Sequence, residues 1–136
     1  MDKESRILAD KIGQCIVDRD FSAARALLAP WLNQTEADLA RMIDQANEGL
    51  AQPKSWTVDE GVADLATLRK PDDLGPPSKP LPQQITTANF RDWICVQFQP
   101  DPDNEEGFNV CFDLWLAVVR HEGTYSVGYL EAWEAT

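Results

Sequence analysis

Asp92 and Glu131 are the two side chains whose setting suggests acid–base chemistry. Each interrupts an otherwise apolar alternation, in ANFRDWICVQF and in TYSVGYLEAW. A carboxyl carried into an apolar setting is pushed towards its protonated form, while a more solvated partner stays ionised. That division of labour is what an isomerase or a dehydratase needs. The competing expectation is that each acid lies at a wet strand end, since an unpaired buried charge is costly. Nucleophilic and metal chemistry find less support. Cys15, Cys95 and Cys111 contain no CxxC pair, and His121 is the single histidine in the chain. Zinc-ligand spacing is therefore absent, and the cysteines read as reduced, mostly buried thiols. His121, beside Glu122 at a hairpin tip, reads as a surface histidine. No phosphate loop or dinucleotide fingerprint is present, so no cofactor or metal is implied.

A second set of residues suits recognition. If the strands alternate strictly, Arg91, Trp93, Cys95 and Gln97 share a face with Asn109, Cys111, Asp113 and Trp115. Indoles mixed with Arg and few other charges are the composition of a protein interface. Arg91, Trp93, Gln97, Asp113 and Trp115 are accordingly expected to meet a second copy of the chain or another protein, with Asp113 pairing with Arg91. The net charge of −11, from 23 acids and 12 bases, repels phosphate backbones and anionic lipid surfaces and favours a basic protein partner. Nucleic acid and membrane are not expected as partners. No apolar run approaches the roughly 20 residues needed to span a bilayer. The start, MDKESRILADK, lacks the apolar stretch of a signal peptide, so a cytoplasmic location is expected.

The elements that position these residues fall into two halves of one expected domain, residues 1–136. Residues 3–18 place Leu8, Ile12, Cys15 and Ile16 on one helical stripe. Asp20 starts a second helix, with Phe21, Ala24, Leu27, Leu28 and Trp31 at three- and four-residue steps and its length limited by Pro30. Thr35 opens a capping box, TEAD, for a third helix with Leu39, Met42, Ile43, Ala46 and Leu50 on one side and Gly49 at its end. Between residues 54 and 70, SWTV reads as a short strand and VADLATL as a helical turn. Five of the nine prolines fall between residues 71 and 82, so the stretch 71–84 is a connector without regular structure, expected to cross the surface. From Ala88 the period becomes two, predicting an antiparallel meander of three strands. With Glu122 and Gly123 as a two-residue turn, Val118 would face Val127, Leu116 Tyr129, Leu114 Glu131 and Phe112 Trp133. That face, with Phe90, Ile94, Val96 and Phe98 on the next strand, is assigned to the helices.

The run DFSAARALLAPWL, leading through NQT into EADLARMI, resembles the NTF2-like group of the cystatin-like fold. The similarity is carried by Asp20, Phe21, Ala24, Leu27, Leu28, Pro30, Trp31, Leu32, Thr35, Glu36 and Leu39. The resemblance implies an α+β fold with N-terminal helices packed on a curved antiparallel sheet that closes into a cone. Trp31, Phe112, Leu116, Tyr129 and Trp133 would line that cone, with room for a small apolar ligand. The group includes isomerase-like and dehydratase-like enzymes, transport adaptors and binding or immunity-type domains. The isomerase pattern implies a tyrosine from an early helix, whereas the first tyrosine here is Tyr125; the Asp/His pair of the dehydratases also lacks a clear counterpart. The expected function is therefore a non-enzymatic binding or interaction domain, homodimeric or engaging a protein partner through the sheet face, with an immunity or adaptor protein as its specific form. An isomerase-like or dehydratase-like enzyme using Asp92 and Glu131 is the alternative.

Overall fold

The computed structural model describes residues 1–49, 51–61, 64–69, 75–105, 107 and 109–134. Leu50, Val62, Ala63, Lys70 and residues 71–74 of the connector lie outside them. Helix α1 (Lys3–Val17) is capped by the Asp2 carboxylate, which accepts from Glu4 N, and buries Leu8, Ala9, Ile12 and Ile16. Helix α2 (Phe21–Ala26) starts at the Asp20 cap, and α3 (Glu36–Asn47) starts at a complete capping box between Thr35 and Asp38. Strand β1 (Ser55–Glu60) and the single turn α4 (Leu65–Leu68) follow. Strands β2 (Phe90–Gln99), β3 (Phe112–His121) and β4 (Thr124–Glu134) complete the chain. The architecture is α+β: among the described residues the strands form one antiparallel meander in the order β1-β2-β3-β4.

The helices cover one side of this sheet. Ile94, Val96, Phe98, Phe112, Leu114, Leu116 and Val118 are fully buried there against Leu8, Ile12, Leu39 and Ile43. Phe98 and Phe112, directly paired across β2 and β3, stack with ring centroids 4.8 Å apart. Trp56 of β1 extends this side towards α1 through Gly13, where a Cβ would come within 2.5 Å of the indole. Its Nε1–H donates to Asp10 Oδ1 at 3.0 Å.

Two bulges correct the expected faces. Val118 pairs with Val127 as anticipated, but the register then shifts, so that Ala117 meets Tyr129, Leu116 meets Leu130, Trp115 meets Glu131 and Asp113 meets Trp133. Gly128 is the extra residue, and a Cβ on it would lie 2.8 Å from Val119 Cγ1. Tyr129, Glu131 and Trp133 therefore move to the side of the sheet opposite Phe112 and Leu116. The second bulge, between Phe90 and Asp92, turns Phe90 away from the helices to join Val119 in a separate apolar cluster.

That cluster shows what the proline-rich connector does. Leu65, Leu68, Leu81 and Ile85 pack with Trp93, Ala117 and Val119 on the sheet side away from the helices. Arg69 fastens the crossing by donating to the Ile85 carbonyl. Leu81 and Ile85, with the turn of α4, thus give the sheet a partial second cover.

Helix α2 ends at Ala26, earlier than its apolar period suggests. The reason is tertiary: Val127 N donates to the Leu27 carbonyl at 2.9 Å and Ala29 N to the Val127 carbonyl at 2.8 Å. Leu27–Ala29 thereby lies along the outer edge of β4. Trp31 follows, half-buried, and its Nε1–H donates to the Gly128 carbonyl at 2.8 Å. The indole thus ties the α2–α3 corner to the β4 bulge. Trp31→Phe keeps most of the apolar contact and loses this bond; a stability loss of about 1 kcal/mol is expected in urea unfolding, the usual net worth of one such bond.

Candidate functional site

Strand pairing arranges the second side of the sheet as rows. Thr57, Gln97, Asp113 and Trp133 form one row across the four strands, and Asp59, Cys95, Trp115 and Glu131 form the next. In the third row Trp93, Ala117 and Tyr129 lie beneath the connector. Trp93 stacks on Trp115 at 5.6 Å and on Tyr129 at 6.3 Å between centroids. Of the expected interface set, Trp93 is only 2% exposed, so it supports the surface from beneath. Gln97, Asp113 and Trp115 are partly exposed and share the face.

Arg91 does not join them. It occupies the β2 bulge and its guanidinium donates to the Ala88 and Phe90 carbonyls at 3.2 and 3.0 Å. The expected Asp113–Arg91 pair is thus replaced by a different environment. Asp113 lies between Gln97 and Trp133, and one of its carboxylate oxygens is buried without a hydrogen-bond partner among the described residues. Burial raises its pKa above the ordinary aspartate value; a hydrogen bond with Gln97 opposes the rise and the Asp59 charge adds to it. Cys95 responds to the same surroundings. Burial, then the charges of Asp113 and Asp59, push its thiol up to about 12, so it is a protonated thiol at neutral pH and a poor nucleophile.

Glu131 and Asp92 fall on opposite sides of the sheet. Asp92 is on the helix side, paired with Val118 and 4% exposed, and its Oδ2 accepts from Asp2 N at 3.3 Å. Glu131 is a hydrogen-bond hub. Its carboxylate accepts from Tyr129 OH at 2.5 Å, from Ser78 N and Oγ at 2.9 and 2.8 Å, and from Trp133 Nε1. Burial alone would raise its pKa, but these donors outweigh burial and hold it below the ordinary 4.5. Burial, and then the bond to Glu131, move Tyr129 upward. A carboxylate so well supplied is an anchor for the connector at Ser78. Since its folded pKa lies below the unfolded one, the stability it adds is fully present above the unfolded value and is lost as pH falls through the folded value. Urea midpoints taken from about pH 6 down to about pH 3 should therefore fall more steeply for the wild type than for Glu131→Gln.

The lining expected for a cone is divided in the same way. Phe112 and Leu116 are fully buried in the helix-side core, Tyr129 and Trp133 are on the other side, and Trp31 is at the β4 edge. A groove of about 590 Å³ lies between α1, the end of α2 and the β3–β4 hairpin, with Ile7, Leu28, His121 and Tyr125 among its walls. His121 stands edge-on to Trp31, with ring centroids 5.3 Å apart. Tyr125 OH donates to Asp2 Oδ2 at 2.5 Å.

Sequence reasoning missed Asp59 and Ser78. Asp59 was legible from alternation along SWTVDE once that strand is placed beside β2; Ser78, among prolines, carries no such signal. No protein-family model, curated protein or solved structure matches the chain. Chemically, the open part of the face alternates carboxylates with indoles, an arrangement that attracts cationic side chains through charge and through the ring faces.

Proposed function

We propose that this chain is a non-enzymatic binding domain that takes a basic protein partner on the side of the sheet away from its helices. The observation that carries the reading is the half-buried Asp113 carboxylate, set between the half-buried indoles of Trp115 and Trp133 on the open part of the face. A Lys or Arg side chain brings the opposite charge to that carboxylate, and the indoles supply cation–π contact and apolar area. The net charge of −11 steers such a partner and disfavours association of two copies. An NTF2-like ancestry, in adaptor or immunity form, is part of the same reading, supported by the Asp20–Leu39 pattern and by three helices preceding an antiparallel meander. The test is titration with a lysine-rich peptide, followed through tryptophan fluorescence, with Trp115→Ala as the variant and sedimentation to follow self-association.

A further inference from the structure

Strand β1 ends the sheet, and its outer edge is unpaired among the described residues. Gly61 N donates to the Trp93 carbonyl at 2.7 Å, which sets the alternation along the strand. Ser55, Thr57 and Asp59 direct their backbone groups towards Gln99, Gln97 and Cys95, so Trp56, Val58 and Glu60 direct theirs outward. No backbone hydrogen bond from another described residue reaches those outward groups. Edges of this kind are commonly blocked by a bulge, a proline or a covering loop. SWTVDE has no proline, and its pairing with β2 runs without a register shift.

We infer that the partner docks on this edge as an extended basic segment, adding a fifth strand beside β1. This rests on the binding role proposed for the sheet face. Every second side chain of such a strand falls on the face that carries Thr57 and Asp59, beside the Asp59 end of the row that runs inward through Cys95 to Trp115. Asp59 is exposed and engaged in no ion pair among the described residues, and Asp113 lies in the adjacent row. Charge decides between occupants. A second copy would bring another −11 to an edge already holding Asp59, unpaired among the described residues, and a Glu60 that is paired with the Met1 amino group, whereas a segment with Lys or Arg at alternate positions is attracted to it. The main-chain bonds supply affinity without sequence preference, and the exposed Asp59 carboxylate on β1 selects the positive side chains that fall beside it.

The probe is a short synthetic peptide alternating lysine and threonine, added at low salt to isotope-labelled protein. The amide signals of Trp56, Val58 and Glu60 are expected to shift in a saturable manner. N-methylation of every second peptide residue, in both registers, should weaken binding about ten-fold or more, because it removes strand-forming donors and keeps the charge. Val58→Pro should do the same from the protein side: it removes an outward N–H, a position where an edge strand accepts proline. If that variant unfolds, the methylated peptides decide the matter on the wild type. Equal affinity of methylated and unmethylated peptides, or shifts that avoid β1, overturns edge docking. A dimer that Val58→Pro dissolves overturns it too, giving the edge to a second copy. Binding that ignores methylation but fails in Trp115→Ala leaves the face reading standing without the edge; no binding to the wild type removes both.

Discussion

Phe112→Ala is expected to destabilise the fold by about 3–5 kcal/mol, the range found when a large buried aromatic is truncated and its site cannot collapse. Phe112 is 0% exposed and stacked on Phe98, which is 0% exposed as well. Both rings sit under the helices, among Leu114, Val96 and Ile43, so the lost volume is walled on every side by other core residues. Domains of this size are held by roughly 5–15 kcal/mol in all, and the variant should therefore keep only a fraction of its margin. Urea unfolding is the measurement: a lowered midpoint with an unchanged slope identifies loss of stability without a change in the surface exposed. The expectation is specific to the observed register. Trp133, anticipated as the neighbour of Phe112 in a cone, lies across the sheet and is only partly buried.

Trp115→Ala is expected to weaken binding of a lysine-rich peptide by about 2 kcal/mol, roughly thirty-fold, the effect of removing a central aromatic anchor from an interface. Trp115 stacks on Trp93 and faces the carboxylates of Asp113 and Glu131 from neighbouring positions. Its removal takes away both the ring that a cation meets and the platform that keeps that cation near Asp113. Asp113→Asn separates the contributions. It keeps the indoles, so residual affinity should persist while the salt dependence of binding becomes shallower, because one charge has left the pair. Fluorescence titration at two ionic strengths reads both variants.

Much of the scaffold was legible in the residues because local chemistry dictates it. Asp20 and Thr35 are side chains that accept from free amides at helix starts, and α1 and α3 follow from their apolar stripes. The β3–β4 turn was equally plain: Glu122 and Gly123 both take positive φ, 52° and 79°, as a tight hairpin requires. What escaped was set by contacts between distant segments. Helix α2 stops short because β4 captures Leu27–Ala29, a competition that no local pattern encodes. The bulge at Gly128 had a signal, a lone glycine inside a strand, and reading it would have moved Tyr129, Glu131 and Trp133 to their observed side. The bulge at Arg91 had none, and it removes that guanidinium from the face where Asp113 lies.

For the candidate site the consequence is a change of chemistry. With Asp92 and Glu131 on opposite sides of the sheet, and Glu131 bound to Ser78, Tyr129 and Trp133, proton exchange between them has no path within hydrogen-bond reach. The tryptophans expected to act together are divided by the structure. Trp93 packs from below, Trp31 ties the helix corner to β4, and Trp115 and Trp133 lie half-buried on the open part of the face.

The most direct test of the binding account is calorimetric titration of the lysine–threonine peptide into the wild type and into a Trp115→Ala/Asp113→Asn double variant, at low and at physiological salt. The account predicts saturable binding by the wild type that weakens with salt, and loss of most of that affinity in the double variant while its unfolding remains cooperative. Equal binding by the two proteins, or none by the wild type at low salt, would contradict it.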